Sequence, residues 1–109
     1  MKVGIIRCQQ TEDICPGTTD LKCAAAGKGA FAELGPCEVV GFVSCGGCPG
    51  KRAASRAQTL VARGAEAVAL ATCITKGSPM DFPCPNRDAI RNSIAKALDD
   101  SVVFLEYTH

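Results

Sequence analysis

Four runs of almost entirely apolar residues recur along this chain of 109 residues, and each run has the length of a β-strand. Strands that are apolar at nearly every position, rather than at alternate ones, suit a parallel sheet that is covered on both faces. The pattern therefore predicts strands at residues 3–6, 39–43, 67–71 and 102–105.

The stretches between these runs are long enough to hold helices. Residues 52–63 and 86–98 repeat apolar side chains at helical spacing, which predicts a helix in each. The stretch 20–34 is interrupted by Gly27 and Gly29, so it predicts a short or broken helix.

This alternation predicts one α/β domain over residues 1–109, with three layers and a four-stranded, mostly parallel sheet. Right-handed crossovers favour the flavodoxin-like strand order 2-1-3-4. Ligands of such sheets bind beyond the carboxyl ends of the strands, at the crevice where the strand order reverses. Here that crevice lies between the first and third strands.

Composition excludes several classes of function. Lysine and arginine number 12 against 11 aspartate and glutamate, and the chain has five aromatic residues with no tryptophan. No basic field or stacking surface is available for nucleic acid, so we predict no nucleic acid partner. The sequence has no signal peptide pattern and no membrane-spanning run, which predicts a cytoplasmic protein without membrane contact.

Cysteine carries the chemistry of the chain. In a reducing compartment, eight cysteines in 109 residues indicate metal binding or catalysis more often than structural disulfides. The metal-capable residues that come two to four positions after the four predicted strands are Cys8, Cys45, Cys73 and His109. We expect Cys15, Cys48 and Cys84 at the same edge, and Cys23 there if the first helix starts late. Cys37 precedes the second strand, so we expect it at the opposite edge.

The segment Cys45-Gly46-Gly47-Cys48-Pro49 supplies two sulfurs from one strand end. Gly46 and Gly47 let the backbone approach a ligand closely, and Pro49 suits the first turn of the following helix. The positive end of that helix would stabilise a thiolate at Cys48. A thiolate is both a metal ligand and a nucleophile, so two chemistries stay open at this loop.

Nearly the whole chain resembles the CGGC domain family, which is named for the tetrapeptide at residues 45–48. That resemblance implies a cysteine-rich site thought to bind metal, often zinc, and it implies no assigned activity. The elements that carry it are residues 3–8, Cys15, Cys23, residues 40–50, 64–66 and 70–74, Cys84-Pro85 and Thr108-His109.

Three hypotheses follow. In the first, Cys8, Cys45, Cys48 and Cys73 bind zinc, with Cys15, Cys23, Cys84 and His109 completing the site or holding a second ion. Because the chain has one histidine, an iron–sulfur cluster held by thiolates is the alternative cofactor. In the second hypothesis, Cys45 attacks and Cys48 resolves in thiol–disulfide or other redox catalysis. The third is a metal-free interaction domain.

Overall fold

A computed structural model describes residues 1–77 and 83–109 of the chain. Its centre is a four-stranded sheet in the order β2-β1-β3-β4. All three strand pairings are parallel, which confirms the α/β fold and the 2-1-3-4 order. The strands are β1 (Lys2–Arg7), β2 (Glu38–Ser44), β3 (Ala67–Leu70) and β4 (Val103–Leu105).

Four α-helices connect or follow these strands in the described residues: α1 (Thr18–Ala26), α2 (Ala53–Ala62), α3 (Thr72–Thr75) and α4 (Arg87–Ala97). The first helix is short, as the glycines predict, because Gly27 takes a left-handed conformation at its end with φ of 67°. A separate 3₁₀ turn, Gly29–Phe31, follows it. The predicted helices at 52–63 and 86–98 are confirmed as α2 and α4.

The short helix α3 is the main departure from the expected elements. We expected the third strand to reach Ala71, but β3 ends at Leu70 and α3 begins at Thr72. The last sheet bond here runs from the Ala71 amide to the Ile6 carbonyl. The next amide, of Thr72, donates instead to the Thr108 hydroxyl at 3.2 Å, which turns the chain out of the sheet.

Helices cover the sheet on both faces and so form the three layers. Gly4 and Gly41 are register partners, and both face Leu60 of α2. A Cβ atom on Gly41 would lie 2.4 Å from Leu60 Cδ2, so these glycines let α2 pack close to the sheet. Phe42 points to the other face, where its ring meets Gly17 at the start of α1. In the described ranges, no helix has the length and hydropathy that a membrane crossing needs.

Candidate functional site

The carboxyl ends of β1, β2 and β3 bring three cysteines together, as the strand pattern predicted. Cys8 follows β1, Cys45 follows β2, and Cys73 lies in α3; all three are buried. The Cys45 amide donates to the Arg7 carbonyl at 2.7 Å, which extends the pairing of β2 with β1. The Cys8 amide donates to the Cys73 sulfur at 3.3 Å. Backbone bonding therefore holds these positions at one edge of the sheet.

Burial and neighbouring groups both affect the ionisation of Cys73, which is a buried thiol. Burial raises the pKa of its thiol above the ordinary value of 9.0, and the charges of Cys8 and Asp20 raise it further. Hydrogen bonds from the Cys8 amide and the Thr11 side chain act in the opposite direction without cancelling the effect of burial. The free thiol form of Cys73 is therefore favoured while no cation is bound.

Cys84 joins this edge from the segment before α4. Its amide donates to the Ile74 carbonyl at 2.9 Å, which places it beside α3. Burial raises the pKa of its thiol, the Asn86 backbone lowers it, and the charges of Cys8, Cys48 and Cys45 raise it again. The Cys84 thiol thus lies within electrostatic range of three other sulfur sites. Residues 78–82, which precede Cys84 in the segment between α3 and α4, lie outside the described ranges.

The loop between Cys45 and Cys48 depends on its two glycines. Gly46 and Gly47 have φ angles of 87° and 93°, a region that side chains rarely adopt. A Cβ atom on Gly46 would lie 2.8 Å from Arg52 Cβ, so the loop could not keep this path with a larger residue. Cys48, at the end of the loop, is exposed.

Pro49 does not occupy the first turn of the helix that follows this loop, although we expected it there. Gly50 has a φ of 85°, and α2 starts at Ala53. The left-handed conformation of Gly50 separates Cys48 from the helix.

Three cysteines lie apart from this edge or at its border. Cys15 is half-buried in the loop before α1, and its carbonyl accepts a hydrogen bond from Arg7 Nη2. Cys23 lies within α1, next to Ala24, whose carbonyl accepts the Cys37 amide at 2.8 Å. Cys37 precedes β2 at the opposite edge, as expected, so α1 carries Cys23 away from the other thiols. The helix begins too early, at Thr18, for Cys23 to join them.

The single histidine faces a carboxylate. His109 Nε2 lies 3.5 Å from Oδ1 of Asp20, a residue that is only 4 % exposed. The Thr108 hydroxyl donates to the same oxygen. The chain end thus docks beside the thiol sites through Asp20, whose role the sequence did not indicate.

Thr72 is a second polar centre that sequence reasoning missed. Its hydroxyl oxygen accepts the amides of Thr108 at 3.2 Å and His109 at 2.9 Å. The only sequence signal for Thr72 was its position next to Cys73 at a strand end. Its hydrogen-bond partners could not be predicted, because they lie 36 and 37 residues away in the sequence. Thr72 and Thr108 are both fully or almost fully buried.

The thiols at this edge of the sheet are of the chemical type that binds a thiophilic metal ion. Across residues 1–77 and 83–109, no three Cys, His, Asp or Glu side chains are spaced to hold an ion. Neighbouring thiols oppose one another's ionisation, as the pKa of Cys84 illustrates, and a bound cation would reverse that effect. The cysteines fit a thiophilic metal ion in their chemical type and in their location at this edge.

Comparison with known proteins agrees with these features. The family model described as CGGC domain matches residues 2–109. The chain is 38 % identical over 114 residues to the uncharacterized protein MJ0582 of Methanocaldococcus jannaschii, covering 99 % of this chain and 88 % of that protein. No solved structure shows significant similarity to the chain. On the extent of the family match and of this relative, the chain belongs to the CGGC domain family.

Proposed function

We propose that this protein binds a metal ion through cysteine thiolates at the carboxyl edge of its sheet. The observation that carries the proposal is that Cys8 and Cys45 follow two adjacent strands at one edge of the sheet, with Cys48 three residues further along and Cys84 held beside α3 by the bond of its amide to Ile74. These four thiolates would hold the ion. Cys73 is the other candidate for the fourth position, but it accepts the Cys8 amide and lies near the buried carboxylate of Asp20.

Zinc is the metal that we favour, because four thiolates satisfy its tetrahedral preference without any other ligand. An iron–sulfur cluster is the alternative, since it also takes four cysteine thiolates. Binding requires deprotonated sulfur, so the protein must release protons when it takes up either group. We place this chemistry in the cytoplasm, where reducing conditions keep thiols free.

Metal analysis of the protein tests the proposal. The chain is purified without oxygen or chelator, and zinc, iron and acid-labile sulfide are measured per chain. Zinc without sulfide supports a zinc site, whereas iron with matching sulfide supports a cluster. The variant Cys45→Ser with Cys48→Ser should lose the metal, and the matched control Cys37→Ser, at the opposite edge, should retain it. Full metal content in the double variant would contradict the proposal.

Two further variants distinguish the candidates for the fourth ligand. Cys84→Ser should weaken metal retention against a competing chelator much more than Cys73→Ser does. If Cys73→Ser weakened metal retention more than Cys84→Ser, Cys73 would be the fourth ligand instead of Cys84. Equal loss in both would indicate that the ion needs the whole edge intact.

Thiol redox catalysis by Cys45 and Cys48 is the second candidate function. The favourable observation is that one thiol of the pair is exposed and the other buried, at 5 % exposure for Cys45. This exposure favours Cys48 as the attacking thiol and Cys45 as the resolving one, the reverse of the order expected from the sequence. Metal-free protein that reduces a small disulfide, with loss of activity in Cys48→Ser, would support it. Metal-free protein with inert thiols would favour an interaction domain instead.

A further inference from the structure

A shallow groove runs along the outer side of β2, and none of its lining residues is a cysteine. Its volume is about 310 Å³. Val40, Gly41 and Val43 of β2 and Leu60 of α2 form its apolar floor. Strand β2 lies at the edge of the sheet and pairs only with β1 among the described strands. The backbone groups of its outer side are therefore available to a further strand.

A local irregularity in β2 makes this floor apolar. The register with β1 shifts between Val3 and Gly4, so Val40 is the extra residue between Val39 and Gly41. As a result Val40, Gly41 and Val43 all line the same groove, although simple alternation would place Val40 opposite the other two. The valines of β2 are half-buried and not covered, which leaves apolar surface open to solvent.

Two arginines stand at the ends of the groove. Arg56 Nη1 donates to the Ser44 carbonyl at 3.2 Å, at the end of β2, while Leu60 meets Gly41 further back. Helix α2 therefore runs antiparallel to β2. Arg63 also lines the groove, and seven residues place it on the same face of the helix about 10.5 Å further along the axis.

These arginines carry positive charge that is not neutralised locally. In the described part of the chain, neither Arg56 nor Arg63 lies within ion-pair distance of a carboxylate. An occupant of the groove would meet an apolar centre with one positive charge towards each end.

We propose that this β2 groove binds an extended segment of a partner protein, in which two acidic residues bracket an apolar one at alternate positions. Alternate side chains of an extended segment point to the same side, and four residues span about 13 Å. The two acidic side chains would therefore lie about 13 Å apart, and the flexible side chains of Arg56 and Arg63, about 10.5 Å apart along the helix axis, can reach both of them. Addition of the segment to β2 would also satisfy backbone groups of the edge.

A second copy of this chain fits the groove less well. Strand β2 contains one acidic residue, Glu38, at its first position. Pairing of two β2 strands would therefore leave one arginine of each groove without a carboxylate. The charge pattern favours a different protein as the partner.

Nuclear magnetic resonance of the full chain tests the proposal with the capped peptide Glu-Thr-Leu-Thr-Glu as the probe. We expect chemical-shift changes confined to residues 39–44 and 56–63. The variant Arg63→Glu should weaken binding by about tenfold, because it replaces attraction by repulsion at one end. Arg87→Glu, an exposed arginine at the start of α4, is the matched control and should bind normally.

A charge exchange makes the test specific. One of the two peptides Glu-Thr-Leu-Thr-Lys and Lys-Thr-Leu-Thr-Glu should recover binding to Arg63→Glu, and the one that does so reports the direction of the segment. No shifts in residues 39–44 at a few millimolar peptide would overturn the proposal, as would unchanged binding in Arg63→Glu. Broadening of the same residues with protein concentration alone would assign the groove to a second copy and overturn it too. Metal content plays no part in these outcomes.

Discussion

The two sides of the thiol edge are built differently. On the inner side, α3 with Cys73 is held by Thr72 and Thr108, and Asp20 accepts the Thr108 hydroxyl. On the outer side, the loop at residues 45–48 contains two glycines in left-handed conformations and ends at an exposed cysteine, Cys48. The inner side thus consists of buried side chains that bond to residues distant in the sequence, whereas the bonds of Gly46 and Gly47 in the outer loop are to residues two and three positions away.

This difference assigns separate roles to the two sides. A buried polar network whose members are satisfied favours one arrangement, because any other leaves donors without acceptors. A glycine loop has no such restriction and can adjust to a ligand. We therefore expect the outer loop to be the more mobile of the two sides and the inner side to stay in place.

Thiol reactivity should show the contrast most strongly. In reduced, metal-free protein, iodoacetamide should modify Cys48 at least about a hundredfold faster than Cys8 or Cys73, because buried thiols react only when the structure opens locally. Peptide mass spectrometry at timed intervals measures the three rates. Similar rates at all three sites would remove the distinction between a fixed and an open side.

Removal of one hydroxyl should weaken the inner side severely. Thr72→Val keeps the side-chain shape but leaves the buried amide of Thr108 and the partly buried amide of His109 without their acceptor, at a cost of about 2–3 kcal/mol in unfolding free energy. Urea denaturation measures the loss. Thr59→Val is the control, because the Thr59 hydroxyl bonds the Ser55 carbonyl on an exposed helix surface. Equal losses in both variants would contradict a special role for Thr72.

A glycine substitution should affect the outer side more modestly. Gly46→Ala places a side chain at a φ of 87° and against Arg52, so we expect a loss of about 1–2 kcal/mol in unfolding free energy. Metal affinity should fall by about tenfold as well if the proposed site is correct, since the loop positions two of its proposed ligands. Gly35→Ala is the control, with a φ of 73° and open space around it. It should lose stability without losing affinity.

The smallest expected effect is a dependence of stability on alkaline pH. The pKa values of Cys73 and Cys84 are raised above 9.0, so the folded chain retains protons that the unfolded chain releases. Their contribution to stability is complete below pH 9.0 and decreases as the pH rises through the folded pKa values. Unfolding free energies of metal-free protein on both sides of that pH measure the slope. Cys73→Ser should make the decrease shallower, and an unchanged slope would contradict the assignment.

Much of the fold followed from local patterns. The continuous apolar runs predicted all four strands and their parallel arrangement, and chain handedness favoured the observed order. The convergence of Cys8, Cys45 and Cys73 followed as well, because carboxyl ends of parallel strands share one edge. These features depend on periodicity and on a general rule of sheet topology, which a single sequence displays.

The parts that the sequence did not determine all depend on distant partners. After β3, the Thr72 amide donates to the Thr108 hydroxyl. That hydroxyl donates in turn to Asp20, 88 residues away in the sequence, and His109 lies beside the same carboxylate. The path of α1 separates Cys23 from the other thiols, and Gly50 delays α2 beyond Pro49. The sequence by itself determined which residues could meet at the edge of the sheet. Only the tertiary structure decided which of them do, because a hydrogen bond between remote side chains leaves no periodic trace along the chain.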